Sequence, residues 1–277
     1  MPIDTALITG ASSGIGLHLA HQFAKHGHSL VLVAPEAPEL DVLAADLRKK
    51  YQVEVLSIPL DLEEPDSALR VVEAVQDNGL QIDILVNNAG HGYKGTFWEV
   101  PIATHLSILR LNVEAVLRLT AAFLPEMVQR RYGRLLTTAS IAGFEPGPTM
   151  AVYHASKAFV LSWSEAIATE LADSGVTVTA LCPGPTDTDF FPKGDMEQTV
   201  AFQKANLMDP EEVAQEGYQA VMTGERVVVV GAMNKALVFS RRFMSEAMQA
   251  KMNQKMYDDV DEIQRHRGDK ETSPGAS

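Results

Sequence analysis

The 277-residue sequence has one cysteine, Cys182. That scarcity excludes an intramolecular disulfide and a thiolate-held metal cluster. No apolar run approaches the roughly 18 residues of a membrane-crossing helix, so no integral membrane segment is expected. Positive charge is also short. The 23 Lys and Arg stand against 36 Asp and Glu, a formal net charge of −13, the wrong sign for gripping a nucleic-acid backbone. The acidity is read as a solubility device. No cluster of His, Cys and carboxylates has metal-ligand spacing, so no metal is expected. The first chemistry-bearing motif begins at Thr9, which leaves no room for a cleaved targeting segment before it. A cytoplasmic location follows by elimination.

What is present is 46% hydrophobic residues, enough for a core in a chain long for one domain but within range for a single α/β unit. Short apolar runs at 4–9, 30–33, 53–58, 82–86, 135–140, 176–181 and 227–230 predict strands. Between them, helical spacing predicts helices at 14–27, 40–51, 66–78, about 103–130, 152–174 and 209–223. In the third of these Leu69, Val72 and Val75 are expected to face inward. Asp209-Pro210-Glu211-Glu212 has the marks of a helix start, with Asp at the cap, Pro at the first position and acids in the first turn. Uniformly apolar strands alternating with amphipathic helices are the pattern of a parallel sheet covered on both faces.

Thr9-Gly10-Ala11-Ser12-Ser13-Gly14-Ile15-Gly16 falls between the first strand and the first helix. Glycines there let the backbone turn tightly and approach a pyrophosphate, and the helix start offers free N–H groups and a positive dipole end. The spacing is Gly-x-x-x-Gly-x-Gly rather than Gly-x-Gly-x-x-Gly. Glycine also ends strands for purely steric reasons, so the placement carries the inference.

Tyr153-His154-Ala155-Ser156-Lys157 puts a Tyr and a Lys on one helix face. A free phenol, with a pKa near 10, is a poor base at neutral pH. A neighbouring ammonium would lower that value and fit the phenol to exchange a proton with a carbonyl or alcohol oxygen. A surface Tyr beside a solvated Lys is the plainer alternative. Ser140, at the end of the fifth strand, lies where such sheets bind ligands and can polarise the same oxygen. Asn112, an amide inside a helix, is either a partly exposed helix residue or the holder of a water that connects Lys157 to solvent.

Taken together, these residues resemble the short-chain dehydrogenase/reductase family. The glycine turn, Asn87-Asn88-Ala89-Gly90, Asn112, Ser140, Tyr153, Lys157 and Pro183-Gly184 occur in the family's order, with 13 positions between Ser140 and Tyr153. The resemblance covers about residues 3–231. It implies a single doubly wound, Rossmann-type domain over 1–268, with a seven-stranded parallel sheet flanked by helices on both faces. It also implies hydride transfer between NAD or NADP and a carbonyl or secondary alcohol. Tyr153 would be the acid/base, Lys157 would lower its pKa and hold the nicotinamide ribose, Ser140 would orient the carbonyl, and Asn112 would support the proton relay. Gly10, Ser12, Ser13, Gly14, Ile15 and Gly16 would hold the pyrophosphate. Asp61 and Leu62 would meet the adenine. Asn87, Ala89 and Gly90 would shape the cofactor groove, Pro183 and Gly184 would continue it, and Thr186 and Thr188 would touch the nicotinamide carboxamide or the pyrophosphate. A homodimer or homotetramer is the assembly implied.

The resemblance leaves the choice of cofactor open. Where relatives that take the 2′-phosphorylated form usually carry Arg, Pro35 stands. Where those that take the unphosphorylated form usually carry an acid, Ala34 stands. Glu36 would repel a phosphate if it pointed inward. A nucleotide sensor on the same fold is the competing class, and a dehydratase or epimerase a third.

Three segments are expected to border one substrate pocket: 92–98, 142–150 and the insertion 187–208, the last a possible lid. Phe144, Met150, Phe190 and Phe191 suggest apolar walls, hence a small carbonyl or alcohol substrate with apolar character. Glu145 is expected to face solvent. His91 and His154 are expected in structural or exposed roles. Beyond Gly231 a helical extension is expected over about 232–266, with a disordered tail over 269–277. Met244, Met248, Met252 and Met256 recur every four residues among Arg241, Arg242, Lys251 and Lys255. Packing on its own or a sister subunit is the simpler account, since the acids Glu246, Asp258, Asp259 and Asp261 intervene. Attachment of a basic amphipathic helix to a membrane surface is the other.

Overall fold

The computed structural model describes residues 3–203 and 207–260. The tail expected at 269–277 and the end of the extension expected to reach 266 lie outside them. Seven strands form one parallel sheet: β1 (Thr5–Thr9), β2 (Ser29–Ala34), β3 (Val55–Pro59), β4 (Ile84–Asn87), β5 (Gly133–Thr138), β6 (Val176–Cys182) and β7 (Val227–Val229). Their order is β3-β2-β1-β4-β5-β6-β7, and every pairing is parallel. The chain winds outward from β1 in one direction and from β4 in the other. The switch between them opens a crevice at the carboxyl ends of the strands.

Side-chain alternation divides the interior into two layers. Ala6, Ile8, Leu30, Leu32, Ile84 and Val86 face α1 (Gly14–Lys25), α2 (Ala37–Tyr51) and α9 (Pro210–Thr223). Leu7, Val31, Val33, Leu85 and Leu135 face α3 (Ser67–Asp77) and α5 (Ala115–Arg130). Strands buried on both faces need apolar residues at successive positions, which is why they read as continuous runs. The start of α9 is as expected: the Asp209 carboxylate accepts from the Glu211 N–H at 2.8 Å, and Gly224, at φ 75°, ends the helix.

Three details differ from expectation. In α3 the inward residues are Ala68, Val71 and Val75, while Leu69 is 56% exposed. The true face begins one position earlier, and Val75 fits both spacings. The stretch expected at 103–130 is α4 (Ile102–Leu109) and α5 joined through a five-residue π turn, Arg110–Glu114, a widening often found at functional sites. Ser140 lies beyond the end of β5, where it caps a short 3-10 turn, Ile141–Phe144.

Helix α6 (Ala151–Glu170) leads into β6, and after β6 come two short helices, α7 (Phe190–Lys193) and α8 (Val200–Gln203). Past β7 the extension forms two helices, α10 (Ala232–Arg241) and α11 (Glu246–Tyr257), with Met244 in the turn between them.

Candidate active site

The floor of the site is the β1–α1 turn. Gly10 and Gly14 have φ of +65° and +53°, values that favour glycine. A Cβ on Gly10 would lie 2.9 Å from the Ala89 Cα, and one on Gly16 would lie 2.1 Å from the Gly10 carbonyl oxygen. Gly16 therefore keeps the helix close against the turn rather than lining the cavity. Helix α1 starts with no side-chain cap, so its first N–H groups remain available to an anion.

A brace holds the turn to the neighbouring strands. Thr9 Oγ1 accepts from the N–H groups of Asn88 and Ala89 at 2.9 and 3.0 Å. The Asn88 amide donates to the Thr9 carbonyl at 3.0 Å and accepts from Thr138 Oγ1 at 3.1 Å. The brace residue is thus Asn88. The Asn87 amide instead donates to Thr120 Oγ1 on α5 at 3.1 Å. Asn87, like Gly16, Pro183 and Asn112, is outside the cavity lining, whereas the other candidate site residues line it.

The cavity, about 830 Å³, runs along the carboxyl edge of the sheet. At its β2 end Ser12 Oγ donates to Glu36 at 2.9 Å. Glu36, Asp61 and Glu63 line this end, and the Lys and Arg side chains of the lining (Lys157, Lys193, Lys255 and Arg241) come from other segments.

At the other end are Tyr153, Ser140 and Lys157, all buried. Burial pushes the Tyr153 phenol up to about 12, with the Ser140 hydroxyl acting in the opposite direction. Burial brings the Lys157 ammonium down to about 8. Lys157 Nζ donates to the Thr138 carbonyl at 2.7 Å and lies 5.8 Å from the Tyr153 ring centroid. The hydrogen bond that favours the Tyr153 phenolate comes from Ser140, while Lys157 Nζ is taken by the Thr138 carbonyl. In this state Tyr153 holds its proton across the neutral range.

Asn112 owes its place to the π turn. Its Oδ1 accepts from the His91 N–H at 3.0 Å, and its amide donates to the His91 carbonyl at 2.9 Å and to Ser156 Oγ at 3.0 Å. It is 1% exposed, so it is no surface amide. It fixes the backbone after Gly90, where a Cβ would sit 3.4 Å from Lys157 Nζ. His91 lines the cavity, bonds Ser107 Oγ at 3.0 Å, and is kept below its usual pKa by burial.

Two of the three expected pocket segments reach the cavity. Ala142, Glu145, Phe190, Phe191 and Lys193 line it; Phe144 and Met150 do not, and from 92–98 no residue does. Phe97 and Trp98 are 59% and 80% exposed. The Phe190 ring lies 5.1 Å from that of Tyr153, and the insertion packs there with Met150, Phe191 and Met196.

A further wall is the C-terminal extension, which the sequence did not place at the site. Arg241 pairs with Glu145 at 2.5 Å, both side chains under 10% exposed, and donates to the Ile141 carbonyl at 2.9 Å. Glu145 is therefore buried, contrary to expectation. Burial raises the Glu145 pKa and the guanidinium opposes that rise. His154 bonds the Glu145 carbonyl at 3.0 Å and Tyr257 Oη at 3.1 Å, and the Asn253 amide donates to the Pro146 carbonyl at 2.8 Å. Arg241 and Glu145 stand 96 positions apart, and no local pattern could have joined them.

The residues present fit a dinucleotide. An uncapped helix start lies beside a turn whose Cβ positions are closed off, and a buried hydroxyl pair ends the groove. The sequence model of a family described as short chain dehydrogenase matches residues 4–199. The chain is similar to the very-long-chain 3-oxoacyl-CoA reductase of Phaeosphaeria nodorum, at 40% identity over 178 residues, 62% of this chain and 52% of that one. It thus spans about half the length of that relative. It is similar to oxidoreductase UcpA of Escherichia coli K12, at 34% identity over 78% of this chain and 80% of that one. Among solved structures it is similar to a short-chain dehydrogenase from Sphingobium yanoikuyae in complex with NADPH, with a TM-score of 0.78, 35% identity, and coverage of 87% and 94%.

Proposed function

Because this chain belongs to the short chain dehydrogenase family, we propose that it reduces a carbonyl with an apolar body to the alcohol at the expense of a reduced nicotinamide cofactor, with Tyr153 as the acid. The observation that carries the reading is the Ser140–Tyr153 pair buried at the cofactor groove, with the phenol raised to about 12, and the reductase name of the P. nodorum relative points to the same direction. A group protonated at neutral pH serves as a donor to a developing alkoxide, not as a base toward an alcohol.

The turn at Gly10–Ile15, with Ser12 and Ser13, would hold the pyrophosphate. Asp61, Leu62, Ala89 and Gly90 would border the nucleoside, and Gly184, Thr186 and Thr188 the nicotinamide end. The cofactor supplies the hydride. The chain's own residues hold the carbonyl in reach. Ser140 donates to its oxygen, and Tyr153 Oη gives that oxygen a proton as the carbonyl carbon is reduced. Lys157, cationic below about pH 8, offsets the charge left on the phenolate until solvent returns the proton. Phe190 over Tyr153 excludes water from the reacting atoms. Holding both reactants in one dry groove lowers the barrier by orientation.

Glu36, tied to Ser12, makes the β2 end of the groove acidic. A 2′-phosphate there would meet a carboxylate, so the unphosphorylated cofactor is the proposed partner. The Phe190, Phe191, Met252 and Met256 side chains of the cavity suit an acyl chain or bulky ketone, and the P. nodorum relative's name points to the same class. Loss of reduced-nicotinamide absorbance with 3-oxoacyl thioesters and bulky ketones tests the reading. Wild type should turn over and Tyr153→Phe should lose about 100-fold or more. Equal rates in both proteins would reject Tyr153, and cofactor binding without turnover on the whole panel would favour a nucleotide sensor.

A further inference from the structure

Helices α10 and α11 are inside out. In α11 the residues turned to the protein are Gln249 and Asn253, 8% and 7% exposed, while Met248, Met252 and Met256 are 55%, 46% and 38% exposed. In α10 Arg241 is buried, and Phe239 is 59% exposed, followed by Phe243 at 79%. The inward side chains are fully occupied: Gln249 donates to the carbonyls of Arg241 and Met244, Asn253 to that of Pro146, and Arg241 to Glu145 and Ile141. A helix held to its own domain by polar contacts, with its large apolar residues outward, is the reverse of ordinary surface patterning. The methionine stripe is therefore not a buried packing face: Met248 points out, and Met252 and Met256 stand part-exposed at the rim of the cavity.

The charge of the segment singles out a partner. Residues 232–259 carry Lys235, Arg242, Lys251 and Lys255 against Glu246, Asp258 and Asp259, with Arg241 taken by Glu145 and Asp259 paired to Lys94, so the segment is locally cationic in a chain whose formal net charge is −13. Lys235, Arg242, Lys251 and Lys255 are exposed, and Lys251 and Lys255 directly precede Met252 and Met256 along the stripe. A second copy meeting this face through a two-fold axis would set cation against cation. An anionic lipid surface satisfies both components, taking the methionine and phenylalanine side chains among its acyl chains and the lysines at its headgroups. The face is continuous with the cavity mouth, where Met252, Lys255 and Met256 are lining residues. Among the described residues no helix is long and apolar enough to cross a bilayer, so such contact is peripheral.

We propose that α10 and α11 form a docking surface for anionic membranes, which sets the mouth of the cavity against the lipid. The test is co-sedimentation of the full chain with vesicles of phosphatidylcholine alone or with about a third phosphatidylserine. Two variants avoid the cavity lining: Phe239→Ser with Phe243→Ser, and Arg242→Glu with Lys251→Glu. Wild type should bind the anionic vesicles about tenfold more tightly than the neutral ones, and salt of about 0.5 M should remove most of that difference. Each double variant should lose about tenfold on anionic vesicles while keeping wild-type turnover of a water-soluble ketone. No binding of wild type up to about 1 mM anionic lipid overturns the proposal. So does binding that neither variant weakens. Sedimentation velocity without lipid gives the third contrary result: an oligomer that the Phe239/Phe243 variant dissociates would mean that a second copy covers this face. The lipid measurement does not depend on Tyr153, so it can fail or succeed independently of the proposed reduction.

Discussion

The glycine turn of β1–α1 and the helical pair at the C-terminal end both border the same cavity, yet they are built by opposite rules. At the turn, space decides: Gly10 and Gly16 are where they are because a methyl group would meet backbone at 2.9 and 2.1 Å. In the extension, polarity decides: Arg241, Gln249 and Asn253 seat the helices, and the apolar side chains face out. The first kind of constraint is local and rigid, the second long-range and dependent on paired charges. The cofactor side of such a groove can therefore stay fixed while the substrate side is remade by whatever the C-terminal segment contributes.

Substitutions should separate the two rules. The largest effect is expected at the turn. Gly16→Ala forces its methyl into the Gly10 carbonyl and should cost about 3 kcal/mol of cofactor binding, measured by fluorescence titration with reduced nicotinamide. Unchanged binding would mean that the turn tolerates movement. Next comes the ion pair. Arg241→Met strands a buried carboxylate and should destabilise the fold by about 3 kcal/mol, read by denaturant unfolding, and it should raise KM more than it lowers kcat. The double variant Glu145→Gln with Arg241→Met should recover much of the stability, since the stranded charge is gone. At the β2 end, Glu36→Gln should shift the NADPH/NADH ratio of kcat/KM toward NADPH by about tenfold, equivalent to 1.4 kcal/mol of repulsion removed. The smallest effect is expected outside: Phe239→Ser should change stability by less than about 0.5 kcal/mol, because the ring contributes little to the protein's own interior.

The same contrast explains what could be read from the chain. The strands were legible because burial on both faces writes continuous apolar runs, and the grouping of Ser140, Tyr153 and Lys157 at one cavity because they stand at the spacing of the family they resemble. The groove's finer roles were less so. Asn88 and Asn87 are adjacent amides, and only the pleat of β4 decides that one braces Thr9 while the other meets Thr120. Leu69 was misplaced because its helix face began one residue earlier than the apolar spacing suggested. The burial of Glu145 was invisible because its partner lies in a segment beyond the motif-bearing region. The methionine stripe was legible as a pattern, but its direction depends on which face carries the tethering polar groups.

The central claim is that a protonated Tyr153 serves reduction while Lys157 carries the balancing charge. The pH dependence of kcat/KM reports groups of the free enzyme. Burial lowers Lys157 to about 8, so it is an ammonium below that pH and an amine above it, whereas Tyr153, at about 12, keeps its proton throughout. Carbonyl reduction by wild type should hold level through the neutral range and fall above about pH 8. A rate that instead climbs with pH would mean that the phenolate is the working form, and would contradict the account.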